Sequence, residues 1–126
     1  MDRKFVLTSL CYAIAGLLLG IFMAASKDNG QVVTHAHIML VGFVVSFVYA
    51  LLHKLWLNNS TSYLAVAQFY VHQFGTALLV SGLFLYYGQF VALETIDAIL
   101  AISSIIVFAG IVLMKVIFIK SAMSNN

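Results

Sequence analysis

The chain has 126 residues, 63% of them hydrophobic and 8% charged, with one Cys, no Pro and a formal net charge of +2. A water-soluble domain carries about 25% charged and about 45–50% apolar residues, so six basic and four acidic side chains cannot clothe a globular surface, and a mean hydropathy of +1.08 assigns that covering to lipid. The basic residues form no run or patch for nucleic acid, and a single Cys excludes a disulfide framework or a thiolate zinc site within one chain.

Polar punctuation divides the sequence into four apolar stretches, each of about 20 or more residues and so long enough to span a bilayer. The first, over 5–25, follows Met1-Asp2-Arg3-Lys4. It is about the length of a full span and has no Ala-x-Ala at its C-terminal end, so it reads as a transmembrane helix. Lys27-Asp28-Asn29-Gly30 leads to the second, over 32–57, and Asn58-Asn59-Ser60-Thr61-Ser62 leads to the third, over 63–87. Gly88-Gln89 and the segment up to Glu94 precede the fourth, over 96–119. Backbone groups in hydrocarbon must be satisfied internally, and these runs have none of the alternation of a barrel strand. The predicted fold is all-α, a single four-helix membrane bundle with short loops.

With alternating helices, Arg3, Lys4, Lys54, Lys115 and Lys120 share one side, and Lys27, Asp28, Glu94 and Asp97 the other. The excess of Lys and Arg places both termini in the cytoplasm, with the inner (cytoplasmic) membrane of a bacterium as the expected location. Gly16 and Gly20 form a Gly-x-x-x-Gly pair, and Gly75 and Gly82 lie on the third span. Close packing of helices within the chain is the favoured reading of these glycines, a dimer seam the sharper one.

Within the spans the conspicuous chemistry is histidine. His35, His37 and His53 lie on the second helix and His72 on the third, and ionisable groups inside a membrane face the bundle interior or mark function. At about 100° per residue, Met39, Gly42, Ser46, Tyr49 and His53 all fall within roughly 40° of His35, a stripe that should face the bundle. His37 points about 200° away, among Val41, Val44, Val48 and Leu55. His35 and His53 are about 27 Å apart along an ideal helix, too far to share an ion. On the third helix Gln68, His72, Gly75, Thr76, Leu79, Gly82 and Tyr86 form a second stripe of small and polar residues. Two facing stripes of this kind leave a slot in which imidazoles can ligate haem iron while glycines clear room for the macrocycle. For His53, next to Lys54 at the cytoplasmic interface, hydrogen-bonding glue between helices is the favoured role, and Lys115 is expected to snorkel to the same interface.

The segment Thr34-His35-Ala36-His37-Ile38-Met39-Leu40-Val41-Gly42-Phe43, followed by Tyr49 and Leu52-His53 and then by Leu64 through His72-Gln73-Phe74-Gly75, resembles the short four-span proteins related to subunit I of haem-copper oxidases and nitric oxide reductases. The resemblance covers the second and third spans, under half of the chain. It implies a b-type haem, as in a cytochrome b, with axial histidines from these helices; the leading reading takes His72 together with His35 or His37, and Met39 as a sixth ligand. Gly42 and Gly75 would make room, and Tyr49 and Tyr86 would touch the haem edge or its propionates. The first and fourth spans contain no His, so the second haem and the histidine-bound metal of an oxidase or reductase have no ligands here, and the chain alone is not expected to reduce oxygen or nitric oxide.

The leading expectation is therefore a small haem-b membrane protein, a homodimer, that carries electrons to an unidentified redox partner or senses a diatomic gas. A copper or zinc site, or metal passage, built on His35 and His37 near the outer face is the second expectation. A cofactor-free accessory subunit, with histidines as interhelical glue, is the third.

Overall fold

The computed structural model describes residues 1–125. Four helices account for the chain: α1 (Asp2–Ser26), α2 (Val32–Leu55), α3 (Tyr63–Tyr87) and α4 (Leu93–Ser124), and all four are long and apolar enough to cross a membrane. The protein is a four-helix membrane bundle. Helix α4 begins three residues earlier and ends five later than its apolar run, because charged residues at a helix end cost little once they reach water. Helix α2 stops at Leu55 instead of residue 57. Beyond it Asn58 and Asn59 take positive φ values of 50° and 52°, a conformation that Asn tolerates better than most residues. Ser62 then caps α3, its hydroxyl accepting from the Ala65 N–H at 3.2 Å.

Two hydrogen bonds fix which ends meet. The backbone N–H of Asp2 donates to Asn59 Oδ1 (3.3 Å), bringing the start of α1 to the α2–α3 loop. At the other end Gln31 Nε2 donates to the Phe84 carbonyl (2.9 Å), joining the start of α2 to the end of α3. The Trp56 ring meets Phe118 of α4 at 6.5 Å between centroids. Successive helices therefore run in opposite directions, and Arg3, Lys4, Lys54, Lys115 and Lys120 gather at the end that holds both termini.

Helix α1 packs along α2, α4 packs along α3, and α2 meets α3 between the two pairs. Glycines set the closeness of each contact. A Cβ at Gly16 would collide with Met39 Sδ, and one at Gly20 would come within 3.1 Å of His35 Cε1. The Gly-x-x-x-Gly pair is thus used inside the chain, against α2. At Gly75 a Cβ would meet Ile106 Cγ2 at 2.7 Å and the Val107 backbone N at 3.0 Å. At Gly110 it would reach His72 Cα only at 3.5 Å, an ordinary contact distance.

Helix α2 is not a plain α-helix. Over Ile38–Val44 it is a π-helix, in which the Val45 N–H bonds back five residues to the Leu40 carbonyl. The wider turn changes the phase of the helix. Its buried residues run Thr34, Ile38, Gly42, Ser46, Tyr49 with Ala50, and His53. Gly42, Ser46, Tyr49 and His53 lie on the inner seam as an ideal helix predicts, but N-terminal to the π turn Thr34 and Ile38 take the buried places. His35 and Met39 turn partly aside, towards α1.

Because backbone cannot yield as a flexible side chain does, Gly75→Ala should destabilise the folded bundle by about 1–3 kcal/mol, read as a lower thermal midpoint in detergent. Gly110→Ala should leave that midpoint nearly unchanged.

Candidate functional site

The polar chemistry of the interior lies where α1, α2 and α3 meet. Phe5, Ser46, His53, Gln68, His72 and Thr76 all have 0% exposure. Phe5, from the first turns of α1, is the hub. Its ring stacks on His53 (centroids 5.6 Å, planes 22° apart), packs edge-on against Tyr49 at 5.4 Å and Phe69 at 4.9 Å, and tilts towards His72 at 6.5 Å. Tyr49 in turn meets the His72 ring edge-on at 5.0 Å. The two imidazoles deepest in the bundle thus stand on either side of a phenylalanine cluster that belongs to the hydrophobic core.

His72 is held by hydroxyls. Its Nε2 lies 3.1 Å from Ser46 Oγ on α2 and 3.5 Å from Thr76 Oγ1 one turn on along α3. Its Nδ1 has no hydrogen-bond partner among the described residues. Gln68, one turn earlier, donates from Nε2 to the Gly110 carbonyl at 3.1 Å and leaves Oε1 without a partner. His53 was expected to hydrogen-bond between helices. It is buried, but neither ring nitrogen has a partner among the described residues, so aromatic stacking on Phe5 holds it instead of a polar contact.

At the far end of α2 the histidines are in another state. His35 Nδ1 lies 2.7 Å from the Gly16 carbonyl on α1, and His37 Nδ1 lies 2.8 Å from the Val33 carbonyl one turn back on its own helix. A carbonyl can only accept, so in each case Nδ1 carries the proton. The neutral ring then presents its lone pair at Nε2. That is the arrangement in which histidine ligates a metal: one nitrogen fixed on a carbonyl, the other bare and oriented by it. Both rings are half-buried.

The residues named by sequence therefore fall into two groups. His72, Tyr49 and Gly75 belong to the interior seam; His35, His37 and Met39 belong to the opposite half of α2, with Gly42 between them. Ser46, the partner of His72, is nine residues beyond His37, about 13 Å along a helix, so His72 and His37 of one chain do not face a common iron. The room near Gly42 is filled by Tyr12, whose Cγ would lie 2.5 Å from a Cβ there, and the room at Gly75 is filled by α4. Met39 turns to Gly16. The interior seam accordingly does not fit a macrocycle; His37 engages only Nδ1 among the described residues, which leaves Nε2 for a ligand, whereas the His35 ring, Nε2 included, lies over Gly20 of α1. Tyr86 is half-buried at the end of α3, its ring 4.9 Å from that of Tyr87.

Sequence reasoning gave no place to Phe5 or Tyr12. Both sit on a helix that is apolar on every side, where periodicity carries no contrast. No family model, no curated protein and no solved structure matches the chain.

Phe5→Ala would empty the centre of the aromatic cluster, and the loss should be about 3–5 kcal/mol. Thermal unfolding followed by circular dichroism in detergent checks this; a shift no larger than that of an exposed control such as Leu7→Ala would show that the ring is not the hub.

Proposed function

We propose that the protein is a small integral membrane carrier of b-type haem, located in the inner (cytoplasmic) membrane of a bacterium with both termini in the cytoplasm. The observation that carries this reading is the state of His37. Its Nδ1–H is committed to the carbonyl four residues back at 2.8 Å, which fixes the ring and leaves Nε2 as the lone-pair nitrogen. His35 presents the same state against α1.

The number of available ligands separates haem from a bare ion. Among the described residues no three His, Cys, Asp or Glu side chains come together in a way that could hold a metal, while copper and zinc sites built from protein alone need three or four ligands. Haem brings four nitrogens of its own and asks the protein for one or two. His35 and His37 are held by carbonyls on different helices, so they do not act as one chelating pair. When bound, haem would supply a one-electron Fe(III)/Fe(II) couple or a seat for a diatomic gas.

The protein's part is to present and orient the ligand. His37 would do this on the half of α2 that also exposes Leu40 and Val44, and in a homodimer the second copy would bring its own His37 to hold the same group. Orientation follows from the five basic residues gathered at the end with both termini. The resemblance of the Thr34–Phe43 segment to subunit I of haem-copper oxidases agrees with a haem ligand here, and the absence of His from α1 and α4 argues against oxygen or nitric oxide reduction by this chain alone.

Detergent-purified protein should show a Soret band and, after reduction, an α-band. His37→Ala should lose most of both, and His72→Ala should keep them while lowering the thermal midpoint. A colourless protein that takes up no haemin ends the proposal. Stoichiometric copper or zinc without a Soret band would favour metal binding in its place, and neither haem nor metal would leave an accessory subunit.

A further inference from the structure

The end of the bundle away from the termini carries a cavity of about 440 Å³ between the α1–α2 and α3–α4 loops. Its walls include four aromatic rings, Phe22, Phe84, Tyr87 and Phe90, together with Gln31 and Asp28. Phe84 and Phe90 stack on each other at 5.9 Å between centroids with planes 23° apart, so the two rings form one continuous wall. The volume lies within the range of small-molecule sites, which are mostly apolar with a few placed polar groups.

Charge decides what such a site would take. Asp28 is the one charged residue in the lining, and no Lys or Arg lines it. Oδ1 of Asp28 is engaged, accepting the Gly30 N–H at 2.9 Å, which holds the side chain in place. The amide of Gln31 is spent on the Phe84 carbonyl and the Thr34 hydroxyl, at 2.9 and 2.7 Å. Neither it nor any other lining side chain offers a positive counter-charge to an anion. Aromatic faces attract cations through their quadrupole, and a carboxylate beside them adds a full negative charge; Phe22, Phe84 and Phe90 are 60%, 41% and 67% exposed, so the cavity opens to the outside. Aromatic rings with one carboxylate are the chemistry that recognises a quaternary ammonium group.

We propose that this cavity is a binding site for an organic cation with an apolar body, a quaternary ammonium compound, reached from the side of the membrane opposite the termini. Phe22, Phe84, Tyr87 and Phe90 surround the cation and its apolar substituents, and Asp28 supplies the counter-charge. The site shares no lining residue with His35 or His37, so it does not depend on haem.

The test is binding of benzyltrimethylammonium, with its neutral isostere neopentylbenzene as the control, to the whole detergent-purified protein, followed by tyrosine fluorescence and by thermal shift. Asp28→Asn is the chosen variant because an amide oxygen can still accept the Gly30 N–H, so the loop keeps its turn. The expected result is saturable binding of the cation, clear preference over the isostere, and about two- to fivefold weaker binding in Asp28→Asn, with unchanged thermal stability in the absence of ligand. Tyr87→Leu should weaken the cation more than the isostere. Equal binding of cation and isostere, or an Asp28→Asn variant that binds the cation as well as the parent, overturns the proposal. So does absence of saturable binding to a parent protein that remains folded by circular dichroism.

Discussion

One widened turn in α2 governs where the chemistry of this bundle points. An ideal helix advances so that residues three and four apart share a face, and a π segment interrupts that advance. Over Ile38–Val44 the interruption lets Thr34 and Ile38 join Gly42, Ser46 and His53 on a single buried seam. The histidine segment is rotated off that seam. Without the π turn His35 would continue the line of Ser46 and Tyr49 into the core. With it, His35 reaches the α1 backbone and His37 bonds to its own helix, each through Nδ1.

The same rotation separates two uses of imidazole in one small protein. In the core, His72 hydrogen-bonds to the Ser46 hydroxyl of α2, and His53 is stacked on a phenyl ring. There the rings act as packed side chains whose burial is compensated unevenly: His72 has Ser46, whereas neither ring nitrogen of His53 has a hydrogen-bond partner among the described residues. Towards the end opposite the termini the rings are only half-buried and each has one nitrogen fixed. A polar group in hydrocarbon is costly unless partnered, and the two pairs answer that cost differently, the inner pair by aromatic and hydroxyl neighbours and the outer pair by main-chain carbonyls.

Much of this was legible in the sequence. The four spans follow from apolar length alone, and of the two predicted stripes Gly42, Ser46, Tyr49 and His53 and Gln68, His72, Gly75, Thr76, Leu79 and Gly82 are buried while His35, Met39 and Tyr86 are half-buried, because small and polar residues avoid lipid in favour of close helix contacts. What escaped has physical reasons. A π turn leaves no mark in composition, so the phase of Thr34 and His35 could not be read. Phe5 and Tyr12 stand on a helix whose every face is apolar, and only the packing partner shows which ring turns inward. The glycines announced close approach but not the partner: Gly16 and Gly20 meet α2 of their own chain, and the spaces at Gly42 and Gly75 are filled by Tyr12 and by α4.

The unequal lengths of the helices bear on the bilayer itself. Helix α4 has 32 residues and α2 has 24, a difference of 32 − 24 = 8 residues, or about 12 Å of rise. Since Trp56, just past the end of α2, packs against Phe118, the turns after Phe118 lie beyond the end of helix α2 and alongside the α2–α3 loop, where Lys120 and Ser121 face Asn58 and Ser60 across a cavity. The shorter helices therefore set the least hydrocarbon thickness the protein can occupy without exposing apolar surface to water. The surplus of α4, bearing Lys120, can stand in the headgroup layer of a thin membrane or be drawn into a thicker one by a change of tilt. The bundle thus has a built-in tolerance to membrane thickness on the side that carries its termini.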